Sequence, residues 1–217
     1  MTAFRAAIFD LDGTLADTLA DIAAAMNHAL AALGLPTHDL TAYRRFVGEG
    51  VEQLAARALP ADRQELRPAL VERYIARYAD VLLDASRPYD GIPELLDALA
   101  ARGVALAVLS NKPDPATQRV VAGLFPAGRF ATVVGRRPDL PRKPDPHAAL
   151  AVATELGIAP ADFVFVGDTA IDMRTAVAAG MLPIGAAWGF RPEELAANGA
   201  RIVASRPAEV LRAFDGA

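Results

Sequence analysis

The sequence predicts an α/β fold: a Rossmann-like, doubly wound parallel sheet core with an inserted all-helical cap domain. Three observations predict it. Short apolar bursts recur along the chain, each closed abruptly by polar residues or glycine. In the C-terminal part these bursts alternate with amphipathic patterns of helical period, the signature of right-handed βαβ units. One long stretch, 17–86, breaks the alternation and carries helical patterning alone.

The elements follow in order. Ala6-Ala7-Ile8-Phe9 is a buried strand that ends in Asp10-Leu11-Asp12-Gly13-Thr14. Asp17 or Thr18 can cap a helix whose apolar side is Ile22, Met26, Leu30 and Leu33, stopped by Gly34. Val51 to Leu59 forms a short helix, and Leu66, Leu70, Tyr74, Tyr78 and Leu82 stripe another. The sheet then resumes. Val104 to Leu109, Ala131 to Val134, Phe163 to Val166, Pro183 to Ala187 and, more weakly, Arg201 to Ala204 read as strands. Helices over Pro93–Arg102, Ala116–Leu124, His147–Leu156 and Ile171–Ala179 separate them, the last two stopped by Gly157 and Gly180. The expected division is a core from 1–16 and 87–217 with a cap over 17–86, hinged near Ala16–Asp17 and Ser86–Gly91.

Composition narrows the chemistry. The 217 residues carry 22 Lys and Arg against 26 Asp and Glu, a net charge of −4, which argues against a coat for nucleic acid or an anionic membrane. There is no cysteine, so disulfides and thiolate metal sites are excluded. The three histidines, His28, His38 and His147, stand far apart in sequence, so any metal is expected to be hard and oxygen-liganded. No apolar run approaches the roughly 18 residues of a membrane span, and no signal-peptide pattern opens the chain. The expected location is the cytoplasm.

In doubly wound sheets ligands sit beyond the carboxyl ends of the strands. There this sequence places Asp10 and Asp12, then Ser110, Asn111 and Lys112, then Arg142-Lys143-Pro144, and finally Asp168 and Asp172. Taken singly, each is an ordinary turn former, cap or surface charge. Together they put four carboxylates and two lysines on one rim, and clustered carboxylates need a cation or a shared proton. Mg²⁺ fits that need.

Four segments, Asp10-Leu11-Asp12-Gly13-Thr14-Leu15-Ala16-Asp17-Thr18, Ser110-Asn111-Lys112-Pro113, Lys143-Pro144 and Gly167-Asp168-Thr169-Ala170-Ile171-Asp172, resemble the signature motifs of the haloacid-dehalogenase-like hydrolase superfamily. The similarity spans nearly the whole chain and includes the helical insert, which the family calls a type-1 cap. The resemblance implies phosphate-ester hydrolysis through an aspartyl-phosphate, with Asp10 as nucleophile. It implies Mg²⁺ held by Asp10, Asp168 and the main-chain carbonyl of Asp12. Lys143 would hold phosphoryl oxygens, positioned by Asp172, with the Ser110 hydroxyl and the segment around Asn111 donating to the same oxygens. Asp12, two residues along an extended strand end, returns to the face of Asp10 and would act as acid and base. The superfamily's dehalogenases lack this second aspartate.

The cap carries the substrate choice. Arg44-Arg45-Phe46-Val47-Gly48-Glu49-Gly50-Val51, the Ser-Asn-Lys-Pro segment and the run from Trp188 to Leu195 are similar to those of phosphoglycolate phosphatases. N–H groups at Gly48 and Gly50, with Arg44 as charge partner, could receive the carboxylate of 2-phosphoglycolate. The same glycines serve equally well to turn the chain sharply. Gly135-Arg136-Arg137-Pro138 departs from the family's usual Gly-Gly-Asp. A phosphonatase is excluded by the lack of any lysine in 17–85, and the mutase pattern is absent. The alternatives are a phosphatase for a sugar phosphate or nucleotide, a pyrophosphatase, or a non-catalytic binding protein on the same fold. The expected partner is a small phosphorylated metabolite. Oligomeric state is left open.

Overall fold

A computed structural model describes residues 4–215. Six parallel strands form the core sheet: β1 (Ala6–Phe9), β4 (Ala105–Pro113), β5 (Thr132–Arg136), β6 (Phe163–Gly167), β7 (Leu182–Ala186) and β8 (Ile202–Ala204). Their spatial order is β5-β4-β1-β6-β7-β8, so the winding direction reverses between β1 and β6. β1 sits at the centre, with Ile8 between Ala107 and Phe165, and Phe9 between Val108 and Val166.

The two-residue period of the strands sorts their side chains into two cores. Ala6, Ile8, Leu109, Phe163 and Phe165 pack beneath α7 (His147–Leu156) and α8 (Ala170–Ala179). Ala7, Phe9, Leu106, Val108 and Val166 face the other way, with α5 (Ile92–Ala101) and α6 (Asp114–Leu124). Being covered on both faces, β1 and β6 are apolar throughout. Gly157 and Gly180 stop α7 and α8 in left-handed conformation, as expected of glycine after a last helical turn.

The stretch after β1 is helical: α1 (Leu19–Ala32), α2 (Leu40–Phe46), α3 (Val51–Ala58) and α4 (Arg67–Val81). Met26, Leu30, Tyr43, Leu54, Leu70, Tyr74 and Tyr78 bury against one another and join the core cluster of the sheet. The helical layer is therefore closed onto the sheet. α2 has no counterpart among the sequence expectations, because it is seven residues long and buries only Tyr43. The two chain crossings pair with each other: Ala16–Asp17 (β2) and Arg87–Pro88 (β3) form a short antiparallel ribbon. Asp21, buried in the first turn of α1, clamps the returning chain by accepting from the Ser86 N–H at 2.8 Å, the Ser86 hydroxyl at 2.6 Å and the Ala85 N–H at 2.9 Å.

Of the two residues expected to cap α1, Asp17 accepts from the Leu19 N–H at 3.3 Å. Thr18 stands at the N-cap without a side-chain cap bond. Its hydroxyl instead donates to Asp12 Oδ1 at 2.6 Å. A charged acceptor makes the stronger hydrogen bond, so the carboxylate wins the hydroxyl from the helix.

Candidate active site

The site lies where the strand order reverses, with Asp10 after β1 and Asp168 after β6 on either side of the crevice. This is where an open α/β sheet offers space and diverging loops. Asp10, Asp168 and Asp172 are all buried, and one carboxylate oxygen of each lies within 4.8 Å of the others.

Lys143 compensates this charge. Its ammonium donates to Asp172 Oδ1 at 2.7 Å and to the Leu109 carbonyl at 2.9 Å, and it contacts Asp10 Oδ1 at 2.9 Å. Burial works against the ammonium charge, but Asp10 and Asp172 more than reverse it and hold the group above its ordinary value. Asp172 is fixed in turn. Its second oxygen accepts from the Thr169 N–H at 3.1 Å and hydroxyl at 2.7 Å, a reciprocal cap that starts α8. Asp172 therefore orients Lys143 by direct contact.

Burial pushes the Asp10 carboxyl up to about 7, with Lys143 pulling it down and the charges of Asp172 and Asp12 pushing it up. Burial also raises Asp168 well above the usual carboxylate range, reinforced by repulsion from Asp172 and Asp10. The Phe190 N–H, at 2.8 Å, and the Thr14 hydroxyl, at 3.1 Å, work the other way by donating to its two oxygens. Gly13 makes this approach possible. It sits at φ +89°, and a β-carbon there would collide with the Asp168 carboxylate. Three crowded carboxylates, with one lysine reaching two of them, are short of positive charge, and their all-oxygen donor set fits a hard divalent cation.

Asp12 is held apart from that cluster. Lys112 Nζ donates to both of its oxygens, at 2.7 and 2.8 Å, and Thr18 completes the grip. Ser110 is buried, with Oγ accepting from the Lys112 N–H at 3.2 Å. Asn111 ties three segments together. Its amide donates to the carbonyls of Gly48, at 3.0 Å, and Lys143, at 3.1 Å, while its oxygen accepts from the Lys143 N–H at 3.0 Å.

A cavity of about 40 Å³ opens between these residues and the helical layer, bounded on the core side by Asp10, Asp12, Ser110 and Lys112. Gly48, Gly50 and Tyr74 are among the residues that close it from above. Gly48, at φ +114°, leaves the space in which Arg191 Nη2 packs, since a β-carbon would stand 2.8 Å from that nitrogen. Glu49 pairs with Arg57.

Arg44 is not brought to this cavity. It is exposed at the end of α2 and lines a separate cleft with Asp17, Leu40 and Trp188. His28 is exposed on α1. Trp188 donates its indole N–H to the Thr14 carbonyl at 3.0 Å. Sequence reasoning placed Lys112 on the rim but gave it no role, because its partner Asp12 lies 100 residues away. It also missed Tyr74 and Asp21 as more than helix-face residues.

Fold and site define a hydrolase-type α/β core under a helical lid, with its chemistry built on buried carboxylates. The chain belongs to the haloacid dehalogenase-like hydrolase family, whose model matches residues 7–186. It is 38% identical over 207 residues to a phosphoglycolate phosphatase of Rhodospirillum rubrum, covering 92% of this chain and 86% of that one. It is 35% identical over 217 residues to an N-acetylmuramic acid 6-phosphate phosphatase of Pseudomonas aeruginosa, covering 98% and 96%. A haloacid dehalogenase-like family protein from Streptococcus pneumoniae superposes with a TM-score of 0.90 at 27% identity, over 99% of this chain and all of that one. Among the described residues no helix is long and apolar enough to cross a membrane.

Proposed function

We propose that the protein is a Mg²⁺-dependent phosphomonoester hydrolase that converts 2-phosphoglycolate and water to glycolate and phosphate. The observation that carries the reaction is the separation of carboxylates into two sets: Asp10, Asp168 and Asp172 clustered, with Lys143 on Asp10 and Asp172, and Asp12 apart from them on Lys112 and Thr18. One set suits a nucleophile with its counter-charges. The other suits an acid and base that keeps clear of the cation.

Asp10 attacks phosphorus in line, and the bond to the ester oxygen breaks as the aspartyl-phosphate forms. Lys143 stays on the phosphoryl oxygens, held by Asp172. The Ser110 hydroxyl donates to the same oxygens. Asp12 gives a proton to the departing alkoxide, then takes one from the water that hydrolyses the acyl phosphate. Asp10 and Asp168 would hold Mg²⁺, joined by the Asp12 main-chain carbonyl. Bound there, the ion supplies the positive charge that lets a carboxylate approach an anionic phosphate. The Asn111–Gly48 bond fastens the lid over the reacting groups and excludes bulk water.

The choice of 2-phosphoglycolate draws on the Rhodospirillum relative and on size. The cavity beneath the lid is small, about 40 Å³, which favours an ester with a short tail. The Pseudomonas relative favours a sugar phosphate instead, a reading that requires a wider closed form. The test is kcat/KM over a panel of phosphate monoesters with Mg²⁺. 2-Phosphoglycolate is expected to lead, and a tenfold preference for another ester retires it. A cytoplasmic location and a small phosphorylated metabolite as partner belong to the same reading.

A further inference from the structure

The cavity over Asp10 contains one cation. Among the described residues that line it, Lys112 alone is positively charged. Lys143 lies beneath, its ammonium already shared among Asp10, Asp172 and the Leu109 carbonyl. The Lys112 side chain is 4% exposed and its partner Asp12 10%, so the pair is largely desolvated. The ammonium also stands 4.8 Å from the centre of the Tyr78 ring, on the lid side.

This placement matters because the reacting end of a substrate is already spoken for. Asp10 and Lys143 fix where phosphorus sits, so the rest of the ester extends towards the lid, where Lys112, Tyr74 and Tyr78 meet. The Tyr78 hydroxyl is buried, and no described residue partners it. Tyr78 lines the neighbouring apolar groove with Tyr74 and Pro113 rather than this cavity, however, so Lys112 alone is the cationic handle for the tail. An ammonium on a flexible four-carbon stem can change partners without moving the backbone.

We propose that Lys112 is the residue that reads the anionic tail of the substrate. With the cavity empty of substrate it neutralises Asp12. When an ester bearing a carboxylate enters, the ammonium moves to that carboxylate, and Asp12 keeps the Thr18 hydroxyl as its anchor. Lys112 thereby selects short phosphate esters carrying a second negative charge, and it replaces Arg44 as the charge partner of the tail. The inference rests on the phosphatase reading above and names the residue behind its substrate class.

The test compares 2-phosphoglycolate with 2-hydroxyethyl phosphate, an ester of similar length without the carboxylate. The wild-type protein should favour the carboxylate in kcat/KM by about 10- to 100-fold, the range of a hydrogen bond to a charged group. Indifference in the wild type overturns the proposal whatever any variant does. In Lys112→Gln the preference should fall below threefold, mostly through KM for 2-phosphoglycolate, and Lys112→Arg should recover much of it. Equal losses for both esters in the Gln variant would show that Lys112 serves only Asp12, leaving the substrate assignment intact. If a third ester outruns both while Lys112→Gln still erases the carboxylate preference, 2-phosphoglycolate falls as the substrate and the role of Lys112 stands.

Discussion

Asp10 and Asp12 are two residues apart and have opposite surroundings. Asp10 meets Lys143 and two other carboxylates; Asp12 meets Lys112 and the Thr18 hydroxyl. Their roles follow from that difference rather than from their shared chemistry. Asp12→Asn keeps the shape and the Thr18 contact but can no longer carry the proton. Turnover of alkyl phosphates should drop about 100-fold or more, the usual contribution of a positioned acid and base. The rise in melting temperature on adding Mg²⁺ should persist, because the Asp12 side chain lies outside the carboxylate cluster. Loss of that rise together with activity would place the Asp12 side chain on the cation.

The elements were legible to very different degrees. β1 and β6 announce themselves as unbroken apolar runs, and α7 and α8 end at the glycines that stop them. Asp10 and its carboxylate and lysine neighbours were readable because each follows such a run. α2 and the β2–β3 ribbon were not, since seven residues with one buried side chain and two-residue strands have no period to detect. Lys112 on Asp12, Thr18 diverted from its cap, and Asp21 on the Ala85–Ser86 backbone all depend on contacts between segments that only folding brings together. The Asp21 clamp is where this matters most for the lid, because it locks the outgoing helix to the returning strand. Asp21→Ala strands two N–H groups and a hydroxyl. It should destabilise the protein by about 3 kcal/mol, lowering the melting temperature by roughly 6–12 °C. A shift of about a degree or less in a thermal melt would mean that water satisfies those donors and that the clamp is incidental.

The whole molecule feels the active site through its charge balance. Asp10 and Asp168 both have carboxyl groups raised above their ordinary values, chiefly by burial. A raised carboxyl means that the folded state binds protons the unfolded chain releases. Its contribution to stability is complete below the ordinary value of 3.8, and for Asp10 it is lost as pH rises through about 7. Lys143 adds no slope in this window, since it is protonated in folded and unfolded chains alike. The metal-free protein should therefore lose stability between about pH 4 and pH 7 on account of Asp10, with Asp168 acting in the same direction. A divalent cation competes with the same protons and binds the ionised carboxylates, so its effect must grow in the opposite direction. The increase in melting temperature at saturating Mg²⁺ should be several degrees larger at pH 8 than at pH 5.5, at roughly 2–4 °C per kcal/mol for a chain of this size. Melts at the two pH values, with and without the ion, decide it. An equal or smaller increase at pH 8 would separate Mg²⁺ from the Asp10–Asp168 cluster, and with it the electrostatic account of how a buried carboxylate meets a phosphate.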